Sequence, residues 1–216
     1  MPSSHLLILV GAIIVVSLLL STAPAARAEG EGYGYIPGTP EGPENWGNLK
    51  PEWATCSTGK RQSPINLALL DLTLAPGLGY LNYTYQNANA SVVNRGNDIS
   101  VRFDGDVGSL VINAMAYQLR QMHWHTPSEH TIDGKRYDME LHMVHLNAQN
   151  EAAVIGILYD VGIQCDEFLY KVRSVSPTQL ALLKAAVLAG YENNARPLQE
   201  VNKREIDLFI PLPLIN

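Results

Sequence analysis

The amino-acid sequence predicts a mainly β domain of the α+β class, in which a central, mostly antiparallel, twisted sheet carries helices at its periphery. Three observations predict it. Apolar and polar residues alternate with period two over Tyr117–His125 and again over Met139–Leu146. Asp133-Gly134, a strong hairpin-turn pair, lies in the connection between those runs. Tyr80–Tyr85, Ser91–Val93, Ile99–Phe103 and Ser109–Ile112 are further short alternating runs parted by turn residues.

The chain has 216 residues, 46% hydrophobic and 17% charged, which bounds a single ordinary globular domain. Residues 1–28 stand apart from it. His5 is followed by the apolar run Leu6–Leu20 and then by Ala26-Arg27-Ala28, the pattern of a secretory signal with a small-x-small cleavage site. The domain then occupies 29–216. A retained membrane anchor is the alternative, for which the apolar core is short; after cleavage no stable anchor is expected. Cleavage also removes Arg27, taking the net charge from −6 to about −7. Such an acidic chain has no basic stripe for nucleic acid. The expected address is secreted or extracellular, with a plastid reached through the secretory route as the alternative.

Secretion predicts an oxidising compartment and access to glycosylation. Asn82-Tyr83-Thr84 and Asn89-Ala90-Ser91 both match the acceptor pattern, making Asn82 and Asn89 the candidates. With Cys56 and Cys165 the only cysteines, at most one internal disulfide can form.

Glu29–Glu44, rich in Gly and Pro, reads as an irregular entry segment, and the globular pattern begins at Trp46. Ala152–Tyr159 is a continuous apolar strand expected near the centre of the sheet. One helix is well marked. Ser176 is its N-cap, Pro177 its first residue and Gln179 the capping-box partner. Leu180, Leu183, Val187 and Leu188 would form its apolar face and Gly190 its end.

The chemistry gathers in one place. Five of the six histidines fall between His123 and His145. In a strand, residues i and i+2 share a face, so His123 and His125 project together, and a paired antiparallel strand can aim His142 at the same point. Three neutral imidazoles with no fourth protein ligand make a catalytic zinc arrangement with one position left for water. Ordinary strand histidines are the alternative reading. Against it, Gln121 and Glu140 each lie two residues ahead of a proposed ligand, on the same face, where each can hold a ring N–H. Zinc suits imidazole ligands; copper and nickel stay open.

These residues carry a resemblance. Residues 121–131 (Gln-Met-His-Trp-His-Thr-Pro-Ser-Glu-His-Thr) and 134–145 (Gly-Lys-Arg-Tyr-Asp-Met-Glu-Leu-His-Met-Val-His) resemble the zinc-binding core of the α-type carbonic anhydrases, particularly the plant branch with its dioscorin- and nectarin-like members. Trp46-Gly47, Gln62-Ser63-Pro64-Ile65-Asn66 and Asn194-Ala195-Arg196-Pro197-Leu198-Gln199 resemble further signatures of that family, and the likeness runs from about Tyr35 to Arg204. It implies the fold of that family and the reversible, Zn2+-dependent hydration of carbon dioxide to bicarbonate and a proton. By the same resemblance, Val144 and Val154 match the apolar substrate pocket. The backbone of Asn194 matches the support of a metal-bound histidine, and Arg196 is structural.

The chain departs from the family pattern twice. Asn97 stands where the best proton-shuttling relatives carry a histidine, and an amide cannot relay protons by titration. The second departure is larger. Asp166-Glu167-Phe168-Leu169 resembles the start of a family helix, yet Val172–Pro177 resembles sequence that lies far downstream in relatives. The intervening Gly-Ser-Leu-Thr-Thr-Pro-Pro segment is missing, with the gap near residues 171–172. In relatives its first threonine links the metal's hydroxide to the glutamate matching Glu129, the catalytic carboxylate. The usual partner of the cysteine matching Cys56 is lost with it, leaving Cys165 as the candidate substitute. The implied function is carbon dioxide hydration impaired by the gap. The alternative is a weak or inactive storage protein of the dioscorin type, which residues 41–53 also resemble.

Overall fold

A computed structural model describes residues 32–162 and 172–210. The expected leader at 1–28 and Cys165 therefore lie outside the described residues. In chain order come the strands β1 (Asn66–Leu67), β2 (Thr73–Leu74), β3 (Asn82–Tyr83), β4 (Ala90–Asn94), β5 (Ile99–Phe103), β6 (Ser109–Ile112) and β7 (Met115–His125). They are followed by β8 (Thr131–Ile132), β9 (Lys135–Arg136), β10 (Met139–Leu146), β11 (Ala152–Val161), β12 (Val172–Val175) and β13 (Asp207–Leu208). The helices are short: α1 (Trp46–Leu49), α2 (Thr55–Thr58) and α3 (Pro177–Ala186).

The expected mainly β architecture is present. One sheet runs in the order β12-β11-β10-β7-β5-β4, with β6 pairing both β7 and β3. Its pairings are antiparallel except β11 with β12. Alternation along β7 and β10 decides the register, because a slip by one residue would turn every apolar side chain to the wrong face. Leu119, Met139 and Leu141 are buried from these strands, joined by Leu110 of β6 and Leu158 of β11. Asp133 and Gly134 adopt φ of 46° and 78° and close a small hairpin between β8 and β9. The turn thus sits inside the β7–β10 connection, and the two long strands pair directly.

Three local expectations need correction. β11 is not central. It lies next to the edge strand β12, which covers it only from Leu158 to Val161, and Ala152, Val154 and Gly156 are exposed. Continuous apolar character reflected partial cover rather than a central place. Of Tyr80–Tyr85, only Asn82 and Tyr83 pair, opposite Val111 and Leu110. The helix α3 begins as expected, with Ser176 Oγ accepting from Gln179 N at 3.1 Å and Gln179 Oε1 from Ser176 N at 3.2 Å. It ends at Ala186, before Val187, Leu188 and Gly190. Asn94 Nδ2 donates to the Ala186 carbonyl, and Leu188 N donates to Gly96 O at 2.8 Å. Those tertiary bonds take the terminal groups that another helical turn would use.

The entry segment is irregular, as expected, and is pinned by aromatic rings. Tyr33 meets Trp46 edge-on at 5.2 Å, Tyr35 meets Tyr191 at 6.1 Å, and Trp46 Nε1 donates to Gly34 O at 2.9 Å. Asn82 and Asn89 are both exposed. Among the described residues Cys56 has no disulfide partner. No described helix is long and apolar enough to cross a membrane.

Candidate metal centre

The register of β10 on β7 sets His142 directly opposite His123, and Glu140 opposite His125. With His123 and His125 two residues apart on one face, the three rings converge, their centroids separated by 5.0, 5.2 and 4.7 Å. Each ring offers a nitrogen, and these nitrogens lie within 4.8 Å of one another.

The other nitrogen of each ring is already engaged. His123 Nδ1 lies 3.0 Å from Gln121 Oε1, His125 Nδ1 lies 2.7 Å from the Asn194 carbonyl, and His142 Nε2 lies 2.8 Å from Glu140 Oε1. These acceptors fix ring orientation and select which nitrogen is left for an ion. Gln121 and Glu140 thus stand at the two-residue spacing the strands dictate, and Asn194 reaches in from the far end of the chain. Its side chain is equally committed: Oδ1 accepts from Thr126 N at 2.8 Å, and Nδ2 donates to Asn97 O at 2.8 Å.

Glu140 is the hub. Only 1% of its surface is exposed. Its Oε2 accepts from the backbone N–H groups of Glu129 and His130, and its Oε1 from His130 Nδ1 and His142 Nε2, all at 2.8 Å. Burial opposes ionisation, but the hydrogen bonds from His130 and His142 outweigh it and hold the carboxyl well below the usual range. Burial, then the neighbouring His125 and His142, pushes His123 down to about 3. At His142 burial acts the same way, yet the Glu140 and Glu129 carboxylates prevail and raise its pKa. His145 is fully buried behind the site, with Tyr85 Oη 2.7 Å from its Nε2.

Glu129 stands beside the rings, its Oε1 3.6 Å from His125 Nδ1 and its Oε2 4.0 Å from His142 Nδ1. Oε1 accepts from Arg196 N at 2.9 Å. No hydroxyl among the described residues donates to Oε2. Arg196 is anchored in turn, its guanidinium donating to Gln62 Oε1, Ser63 O and Cys56 O at 2.8, 2.8 and 2.9 Å. A cavity of about 350 Å³ opens here, lined by the three histidines, Glu129, Arg196, Cys56, Ser63 and the rings of Tyr33, Tyr35, Trp46 and Trp53. Burial, with Tyr33 and Glu129 nearby, raises the Tyr35 phenol and keeps it protonated.

Not every residue singled out from sequence lines this cavity. Val144 and Val154 face each other across β10 and β11, outside its lining, and Val154 is 52% exposed. Asn97 is buried, with Nδ2 donating to Tyr33 Oη. The aromatic wall escaped sequence reading. Tyr33 and Tyr35 sit in a Gly-rich stretch with no periodicity, and only the Trp46-Gly47 pair hinted at a role. The use of Arg196 N as an anchor for Glu129 had no local signal either.

Comparison with known proteins agrees with this geometry. The family model for the eukaryotic-type carbonic anhydrase matches residues 41–181. The chain is 37% identical to dioscorin DB3S of Dioscorea polystachya, covering 97% of this chain and 96% of that protein. It is 33% identical to alpha carbonic anhydrase 7 of Arabidopsis thaliana, with 93% and 95% covered. The first of these comparisons extends over 264 positions, so at least 48 of them fall opposite no residue of this 216-residue chain. Among solved structures, dioscorin complexed with ascorbate superposes with a TM-score of 0.79 at 36% identity, covering 84% of this chain and 99% of that one. The α-carbonic anhydrase of Thermovibrio ammonificans with the inhibitor sulfanilamide gives 0.70 at 28%, covering 82% and 98%. With this sheet, this histidine cluster and these relatives, the chain belongs to the eukaryotic-type carbonic anhydrase family.

Proposed function

We propose that this chain holds one zinc ion on His123, His125 and His142 and hydrates carbon dioxide slowly. The observation that carries the reading is the set of three ring nitrogens within 4.8 Å of one another, each ring held through its second nitrogen. The donors fit a zinc ion: all are imidazoles, half-buried or buried, with no competing thiolate among the three. When bound, zinc lowers the pKa of a coordinated water toward roughly 7, which supplies a nucleophile at neutral pH.

The chain's own residues do the rest. Gln121, Asn194 and Glu140 hold the rings. Val144 and Val154, outside the cavity lining, give carbon dioxide no wall there, and the apolar surface beside the rings is that of Tyr33, Tyr35, Trp46 and Trp53. Glu129 is the acceptor beside the reacting centre, but no described hydroxyl links it to that centre. Losing one positioned hydrogen-bonding group there costs about a hundredfold to a thousandfold in rate. Asn97 cannot take up a proton, so proton release falls to water and buffer.

A second reading, a storage protein without useful activity, is favoured by the dioscorin likeness and by the unlinked Glu129. Metal analysis and stopped-flow hydration separate the two. The proposal expects one zinc per chain, almost none in His142→Ala, and a slow hydration rate. Grafting a relative's segment between Lys171 and Val172 should raise that rate about a hundredfold. A zinc-free wild-type chain, or zinc with no hydration even after the graft, would sink it. We also propose secretion with cleavage after Ala28; protein recovered from the medium should begin near Glu29 and lose mass with an N-glycosidase.

A further inference from the structure

Ser63 lines the same cavity as the histidine cluster but takes no part in holding its rings. Its Oγ lies 3.4 Å from His130 Nε2. On its other side His130 is tied to Glu140. Its Nδ1 donates to Oε1 and its backbone N–H to Oε2, both at 2.8 Å. With the ring proton committed on Nδ1, Nε2 is the nitrogen that faces the serine as an acceptor. A hydroxyl, an imidazole and a carboxylate are thus linked in series, the order of nucleophile, base and orienting acid.

Exposure falls along the series as that chemistry needs. Ser63 is exposed, the His130 side chain is 24% exposed and the Glu140 side chain 2%. The nucleophile is therefore open to a ligand while the group that orients the base is sealed from water. A separation of 3.4 Å is longer than a closed hydrogen bond, and such contacts tighten when a substrate arrives. Arg196 Nη1 donates to Ser63 O at 2.8 Å, which sets a fixed cation beside the place where negative charge would develop. Trp46 and Trp53 on the cavity wall offer flat apolar surface to an aryl group.

We propose that Ser63, His130 and Glu140 form a metal-independent catalytic site for acyl transfer, which takes small activated carboxylic esters, aryl esters above all. Ser63 Oγ attacks the ester carbonyl carbon and its proton passes to His130 Nε2. The bond to the leaving oxygen breaks, and that proton goes to the departing phenolate. Water then attacks the Ser63 ester and gives a proton to His130. The carboxylic acid leaves as this proton returns to Ser63 Oγ. One ester and one water become one acid and one phenol, with no change of oxidation state. Ser63 and His130 touch the reacting atoms, and Glu140 positions the base.

The test is the reaction of the full chain with p-nitrophenyl acetate, as purified and in chelator. A burst of about one p-nitrophenol per chain is expected under both conditions. Peptide mass analysis should find the acetyl group on Ser63. Ser63→Ala should lose the burst and the acetyl group yet bind zinc as before, since it keeps the carbonyl that Arg196 holds. His130→Gln should slow the burst about a hundredfold. In chelator, Glu140→Gln should lower the limiting burst rate by about the same factor at an unchanged half-saturating ester concentration. A burst that vanishes in chelator would assign the reaction to a metal-bound nucleophile and overturn the proposal. So would acetylation elsewhere in the chain, or a burst as fast in His130→Gln as in the wild type. A chain that binds no zinc would leave each expected result unchanged, so the metal reading stands or falls separately.

Discussion

The carbonyl of Asn194 lies 2.7 Å from His125 Nδ1, so a loop near the end of the described chain sets the tautomer of a ring in the middle of the sheet. The side chain of the same residue holds that loop down through Thr126 N and Asn97 O. Asn194→Ala keeps the carbonyl and the backbone bond from residue 194 N to Thr126 O at 2.9 Å, but loses the side-chain hold on the loop. It leaves two buried backbone groups without partners, a destabilisation of about 1–3 kcal/mol for each. Urea unfolding should show that loss. Competition against a chelator should show zinc bound about tenfold to a hundredfold more weakly.

Glu140→Gln tests the hub. The amide has one oxygen where the carboxylate has two, while four N–H groups converge on the site: two from the backbone and two from imidazoles. Whichever way it turns, its NH2 meets donors. Zinc affinity should fall about tenfold to a hundredfold at nearly unchanged volume. If the ring-holding account is wrong, Glu140→Gln will bind zinc like the wild type.

Gly156→Ala probes the same carboxylate from the neighbouring strand. A Cβ there would sit 2.8 Å from Glu140 Oε1, an atom fixed by two imidazoles and unable to swing aside. Overpacking of this kind costs about 1–3 kcal/mol. Thermal unfolding should show the loss, and zinc affinity should fall with it because His142 moves with Glu140. A methyl group tolerated in both measurements would mean that β11 yields more easily than its pairing suggests.

Without metal, the protein should lose stability in mild acid. His123 is pushed down to about 3 by burial and by its neighbouring rings, against about 6.5 in an unfolded chain. The unfolded state therefore takes up the proton first. The stability that goes with neutral His123 is present above about pH 6.5 and is lost as pH falls toward 3. His145, lowered by burial, acts in the same direction. His142, raised by Glu140 and Glu129 against its burial, acts in the opposite one and softens the slope. Glu140, held low despite its burial by His130 and His142, adds its loss only below about pH 4.3. Urea midpoints in chelator between pH 7 and pH 4 should fall, and His123→Gln should flatten that arm.

What could be read from sequence was what local geometry decides. The alternation that makes β7 and β10 also puts His123 and His125 on one face, and the same period of two places Gln121 and Glu140 beside their rings. The capping box of α3 was legible for the same reason, since Ser176 and Gln179 lie within one turn. The end of that helix was not, because Asn94 and Gly96 fix it from another element. Nor was the position of β11, since continuous apolar sequence is common to strands covered on both sides and to strands missing a neighbour. Tyr33 and Tyr35 became part of the cavity wall only through rings that their own segment does not supply.

The pairing of His142 with His123 gives the sheet a means of checking its own alignment. β10 and β7 already change register once, between Val144 and His145. Slippage by one residue would turn His142 to the opposite face and leave only two rings together. An ion gripped by both strands therefore favours one alignment over every other. At a free concentration a thousandfold above its dissociation constant, that preference amounts to about 4 kcal/mol. Metal would act on this chain as a proofreader of strand alignment before it acted on any substrate. A chain folded without it would rely on the apolar alternation of the two strands alone.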